Sequence, residues 1–97
     1  MIEKSGSALR VSGPMLITGA TDLLESGRRF LSSANRADGV VFDLSAVEET
    51  DSSALSVVFG WLRTAQASGV KMHIASPPAS MMSQAALYGV SDSLPLA

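Results

Sequence analysis

The sequence predicts one α/β domain in which helices pack on a mixed β-sheet. The main observation is that short apolar runs of strand length alternate with longer segments of helical periodicity. The second is the length of 97 residues, which suits one small domain. The third is a composition of 46% hydrophobic and 16% charged residues, which supplies a core and gives no sign of disorder.

The N-terminal third predicts a hairpin followed by a helix. In the segment "SALRVSGPMLIT", Leu9 and Val11 alternate with the residues around them up to Gly13-Pro14, and a second strand-like run begins after it, at 15–18. This pattern is typical of two short strands joined by a turn. The next segment, "GATDLLESGRRFLSSA", has apolar residues near helical spacing. Within it, Glu25 lies three and four residues before Arg28 and Arg29, which favours a helix.

The rest of the chain continues this alternation. "GVVFDLS" is a continuous apolar run rich in Val, which predicts a strand covered on both faces. From 54 to 67 the periodicity is helical, with an apolar stripe centred on Trp61 and with Gly69 placed as the C-terminal cap. "VKMHIAS" predicts another strand, and Pro77-Pro78 marks the start of a third helix over "ASMMSQAALY".

The composition excludes several classes of function. There is no Cys for a disulfide or a Cys-ligated zinc, and one His cannot form a His cluster, so no cofactor is expected. The net charge is −2 and the basic residues are scattered, which argues against nucleic-acid binding. No apolar run approaches the roughly 20 residues that span a bilayer. We therefore expect a soluble, cytoplasmic domain that reaches a membrane only through a partner.

Three polar residues, Asp51, Ser52 and Ser53, stand where the second helix begins. Asp and Ser are preferred N-cap residues, so helix capping alone is one interpretation. A second interpretation is a phosphorylation switch, because the N-terminus of a helix also stabilises anionic groups. The sequence pattern leaves both open.

The helical wheel assigns the residues after this entry to two faces. At 100° per residue, Ser52 falls beside Phe59 and Arg63 and near Ser56, opposite the apolar stripe. Ser53 is expected at the edge of this outward sector. An aromatic residue on a polar face is compatible with ordinary surface or with the anchor of a contact patch.

Other candidate sites carry weaker patterns. His73 lies inside a predicted strand without an obvious nucleophile or carboxylate to pair with, so no enzyme is expected. Hard cations take carboxylate oxygens as ligands, and three carboxylates lie close together in the sequence at Glu48, Glu49 and Asp51. A solvated loop is nevertheless the favoured interpretation.

The stretch "VVFDLSAVEETDSSALSVVFGWLRTA" followed by "GVKMHIAS" resembles the STAS family, named for sulfate transporters and anti-sigma factor antagonists. The resemblance covers nearly the whole chain, 1–97, as a single domain. It implies a small mixed β-sheet with about three helices packed mainly on one side. In the anti-sigma factor antagonists of this family, the hydroxyl residue after the Asp is the phosphorylation target, and the matching residue here is Ser52.

The short length and the ending "ALYGVSDSLPLA" look most like the STAS subunit of the Mla phospholipid-transport system. Antagonists typically have Gly where this chain has Ala54. The resemblance implies a partner, the cytoplasmic ATPase subunit of an ABC transporter that maintains outer-membrane lipid asymmetry. The alternative partner is an anti-sigma factor kinase. The expected contact residues are Asp51, Ser52, Ser53, Ser56, Phe59 and Arg63.

Overall fold

A four-stranded mixed sheet forms the centre of the computed structural model, which describes residues 1–97. In spatial order the strands are β1 (Ile2–Ser5), β2 (Ala8–Ser12), β3 (Val40–Ala46) and β4 (Met72–Ala75). β1 runs antiparallel to β2, whereas β3 pairs in parallel with both β2 and β4. The helices are α1 (Ala20–Ser32), α2 (Ser53–Ser68) and α3 (Ala79–Leu87), with short 3-10 helices at Ile17–Gly19 and Ser91–Ser93.

The predicted hairpin across Gly13-Pro14 is wrong, although a hairpin exists one strand earlier. Its turn lies between Ser5 and Ala8, where Gly6 has a φ of 62°. The strand β1 was not predicted because "IEKS" is a short, polar edge strand without a clear alternating pattern. Beyond Pro14 the chain leaves the sheet, and Met15 makes only an isolated parallel bridge with Thr50.

Only one face of the sheet is covered. Leu9, Phe42 and Ile74 lie in one row across three strands, and all are buried. In the neighbouring row, Val41 is half-buried and His73 is exposed. The helices therefore pack mainly on one side, as predicted, whereas the prediction that β3 is covered on both faces is wrong. Val41 is apolar because β-branched residues suit a half-exposed strand, so a continuous apolar run does not require two covered faces.

Trp61 occupies the centre of the core between the sheet and α1. Its ring is fully buried and stacks on Phe42, with centroids 4.2 Å apart and an interplanar angle of 9°. Its indole N–H donates to the carbonyl oxygens of Leu23 and Leu24, each at 3.2 Å. Gly27, inside α1, brings the two helices together because it has no side chain where the indole lies. The predicted apolar stripe of α2 is confirmed.

The C-terminal quarter follows the predicted pattern and adds one feature. Gly69 ends α2 with a φ of 72°, and Pro78 precedes α3 as expected. The residues after α3 return to the edge of β4, where Ile74 N–H donates to the carbonyl of Pro95 at 2.8 Å. This pairing covers the sheet edge that β4 would otherwise expose. None of the helices has the length and apolarity that crossing a membrane requires.

Candidate functional site

Asp51, rather than Ser52, caps the N-terminus of α2. Its Oδ1 accepts a hydrogen bond from the backbone N–H of Ser53 at 2.9 Å and also bonds the Ser53 hydroxyl. Its backbone carbonyl accepts the N–H of Ala54 at 3.0 Å. Ser52 already has helical φ and ψ angles of −62° and −20°, and its hydroxyl makes no capping bond. The capping interpretation therefore holds for Asp51 and fails for Ser52.

Asp51 also fixes the loop that follows β2. Its Oδ2 accepts the backbone N–H of Ile17 at 2.9 Å, and its own N–H donates to the carbonyl of Met15 at 3.3 Å. The hydrogen bonds from Ser53 and Ile17 lower the pKa of Asp51 below its ordinary value of 3.8, because they stabilise the carboxylate. An ionised Asp51 thus joins two segments that are distant in the sequence.

The outward face predicted from the helical wheel is present. Ser52, Ser56 and Arg63 are exposed on α2, and Phe59 is half-buried among them. Ser53 is the exception, because it is buried at 9% exposure and its side chain turns back to Asp51. Ser53 thus lies at the inner edge of this face rather than exposed on it, since its bond to Asp51 draws it into the fold.

A surface groove of about 770 Å³ runs along this face. The six expected contact residues all line it: Asp51, Ser52, Ser53, Ser56, Phe59 and Arg63. The wall opposite α2 comes from other parts of the chain, namely Ile17 in the first 3-10 helix and Tyr88 and Val90 after α3. We call this surface the α2 groove. The geometry thus brings the six predicted residues together on one surface.

Sequence reasoning missed the opposite wall. Ile17 is 71% exposed and Tyr88 is 59% exposed, which is unusual for large apolar side chains that lie together. The sequence patterns placed Ile17 in a predicted strand and Tyr88 at the last position of a predicted helix. Neither pattern shows that the two residues line the same groove as α2.

The α2 groove has one unpaired cation. Arg63 is exposed and makes no ion pair, whereas the single salt bridge of the structure joins Arg28 to Glu25 at 3.0 Å on α1. The acidic residue of the groove, Asp51, uses both carboxylate oxygens within the fold. The groove therefore presents free hydroxyl, apolar and cationic groups, a mixture that suits protein binding.

The remaining candidates lie elsewhere. His73 is exposed on the face of the sheet that the helices leave open, and it does not line the α2 groove. No three His, Asp or Glu side chains are placed so that they could hold a metal ion. Thr50 and Ser80 share a hydrogen bond of 2.6 Å between their hydroxyls, which links the loop before α2 to the start of α3.

Several solved structures share this fold. A Thermotoga maritima protein assigned as an anti-sigma factor antagonist aligns with a TM-score of 0.75 at 18% identity, over 99% of this chain and 83% of that one. SpoIIAA of Bacillus in its phosphorylated form aligns with a TM-score of 0.68 at 15% identity, over 100% of this chain and 89% of that one. The unphosphorylated form of SpoIIAA gives 0.62 at 13% identity, over 87% and 78%. At these identities the likeness establishes the fold alone.

The comparison of sequences is more specific. No curated protein matches this sequence. A sequence model of the family described as "Mlab, STAS domain" matches residues 1–96. Because this match runs over almost the entire chain and the observed fold agrees with it, the chain belongs to the MlaB-type family of STAS domains.

Proposed function

We propose that this domain is a non-enzymatic subunit of an Mla-type ABC phospholipid-transport complex, where it binds the cytoplasmic ATPase and supports its activity. Such a complex would maintain the lipid asymmetry of the outer membrane. The family match supports the type of complex, since it is to the MlaB type of STAS domain. The domain would lie at the inner membrane through its partner, because it has no membrane-spanning helix of its own.

The observation that carries the proposal is that the outward face of α2 has exposed hydroxyl groups that the fold itself does not use. Ser52 and Ser56 are exposed, and Ser52 takes no part in capping. They line the same groove as two exposed apolar side chains from other elements. A surface that mixes apolar anchors with unused hydroxyls is typical of a protein interface. This domain would bind the folded or assembled ATPase better than the unfolded or separate one. Binding there would therefore stabilise the folded or assembled ATPase by mass action.

Affinity purification from native cells tests the proposal. A tagged copy of the chain should bring down an ABC ATPase together with membrane components of the same transporter. A tagged Ser52→Asp variant is the control for non-specific capture, because it should fold but lose affinity at the outward face of α2. Recovery of neither an ATPase nor a transporter component by the wild-type chain would refute the proposal.

A second candidate function is an anti-sigma factor antagonist that is switched by phosphorylation of Ser52. The observation in its favour is that the Ser52 hydroxyl is exposed and free, so a kinase could reach it. A phosphate there would add nearly two negative charges beside the ionised Asp51, which already holds the N–H of Ser53. The modification would therefore act by repelling a partner rather than by capping the helix.

Phosphoproteomics and the neighbouring genes separate the two candidates. A phosphorylated Ser52 with a serine kinase and a sigma factor encoded nearby would support signalling. An unmodified Ser52 with ABC permease and lipid-binding genes nearby would support transport.

A further inference from the structure

We infer that the α2 groove binds an acidic amphipathic segment of the ATPase, with apolar side chains held between Ile17 and Tyr88 and a carboxylate held by Arg63. This inference rests on the proposed function and adds the chemistry of the partner. It assigns binding roles to two residues, Ile17 and Tyr88, that lie outside α2.

The apolar anchors are fixed in place by the fold. The backbone N–H of Ile17 donates to Asp51, so the side chain of Ile17 is positioned directly beside the start of α2. Tyr88 directly follows α3 and lines the same groove, as does Phe59 on α2, which is half-buried against the core. Three apolar side chains from three elements thus line one open surface. Such clusters commonly mark the energetic centre of an interface.

The groove has one charge of each sign, and Arg63, the one without a partner in the fold, favours a negative charge on the part of the partner that lies beside it. Arg63 lacks an ionic partner, while the carboxylate of Asp51 is satisfied by Ser53 and Ile17. An incoming carboxylate would pair with Arg63 through charge-assisted hydrogen bonds. An incoming Lys or Arg would meet an unpaired like charge instead. At a rise of about 1.5 Å for each helical residue, Ser52 and Arg63 lie about 16 Å apart along α2. A short segment of the partner is long enough to contact both residues.

A second copy of this chain is a poorer occupant. In a two-fold dimer the same surface lies on both sides, so Arg63 would need an acidic residue from the groove itself. Asp51 is the acidic residue that lines the groove, and both its oxygens already accept hydrogen bonds within the domain. A pairing of Asp51 with Arg63 of a second copy would compete with the three hydrogen bonds that the Asp51 carboxylate already accepts within the domain, which favours a different protein.

Calorimetric titration against the purified ATPase tests the inference. Ile17→Ser and Tyr88→Ser should each weaken binding by at least about tenfold, the loss expected for an anchor residue. Ile17→Ser keeps the backbone bond to Asp51, so the loop remains in place. Arg63→Gln should weaken binding and should also reduce its dependence on salt concentration, because an ion pair has been removed.

Two matched variants control for non-specific effects. Leu87→Ser removes an apolar side chain that is 79% exposed but lies outside the groove, and Arg29→Gln removes an exposed charge on α1. Both should bind as the wild type does. If the wild type binds and the Ile17, Tyr88 and Arg63 variants match these controls, this inference is overturned while the proposed function stands. If the wild type itself does not bind the ATPase, the proposed function fails, and this inference fails with it.

Discussion

The two faces of α2 differ in how completely their groups are satisfied. On the inner face, Trp61 is fully buried, stacked on Phe42 and hydrogen-bonded to α1. On the outer face, Ser52 has a free hydroxyl and Arg63 has no ionic partner. Under the proposed function, one helix serves two purposes, with stability on its inner side and binding on its outer side. Substitutions on the two faces should therefore have separable effects.

The largest expected effect is on the inner face. Trp61→Ala removes the stacking on Phe42 and leaves a cavity, which should cost about 3 to 5 kcal/mol of unfolding free energy. That loss is a large part of the stability of a small domain. Urea denaturation measures it. An unchanged unfolding midpoint would show that the inner face does not carry the stability of the fold.

Gly27→Ala tests the same interface from α1. The added methyl group would overlap the indole ring of Trp61, and overpacking of this kind costs about 1 to 3 kcal/mol. Replacing Gly by Ala inside a helix normally gains about 1 kcal/mol, but here the buried ring cannot move aside. We therefore expect a lower melting temperature. Gly19→Ala is the control, because nothing lies within 4 Å of the added methyl group; equal melting temperatures for both variants would contradict the close packing.

Asp51 lies at the start of α2, and its contribution to the stability of the fold should depend on pH. Its folded-state pKa is lowered from 3.8, so its ionised form contributes stability above that value and loses the contribution as the pH falls through the folded pKa. Asp51→Asn can still cap the helix but has no charge to titrate. The variant should therefore lose less stability than the wild type between pH 7 and about pH 3. Parallel curves of unfolding free energy against pH would count against the assigned hydrogen bonds.

Asp43 contributes to the acid dependence that remains in that variant. Its pKa is also lowered, mainly by hydrogen bonds from Ser45, with a smaller contribution from the charge of Arg10. An Asp43→Asn variant measured over the same pH range is the matched comparison. Its own loss of stability at low pH should likewise be reduced, because it removes a second carboxylate that is stabilised in the fold.

The smallest effect on stability is expected at Ser52. If Ser52 were the cap, Ser52→Ala would cost about 1 kcal/mol. Because Asp51 makes the capping bonds, we expect a change within about 0.5 kcal/mol, as for an ordinary surface substitution. Thermal unfolding decides between these values. A loss of a full kcal/mol would return the capping role to Ser52.

Local patterns predicted most of the fold, but they missed β1, whose short polar sequence does not alternate, and they missed contacts between distant segments. The period of α2 identified Trp61 as buried and Ser52 as exposed, since both follow from one helical wheel. The wheel could not show that Asp51 bonds Ile17, because that contact joins residues 34 positions apart. For the same reason the sequence predicted one wall of the groove and missed the wall that contains Tyr88.

The most direct test of the account is a paired measurement on Ser52→Asp. Unfolding of the isolated domain and calorimetric titration against the purified ATPase would be compared with the wild type and with Ser52→Ala. The account predicts near wild-type unfolding for both variants, and for Ser52→Asp a loss of affinity of at least about tenfold, because its added charge would be buried at the interface. Wild-type affinity in Ser52→Asp would contradict the assignment of the outer face of α2 as the docking surface, and a clear loss of stability in either variant would contradict the assignment of the cap to Asp51.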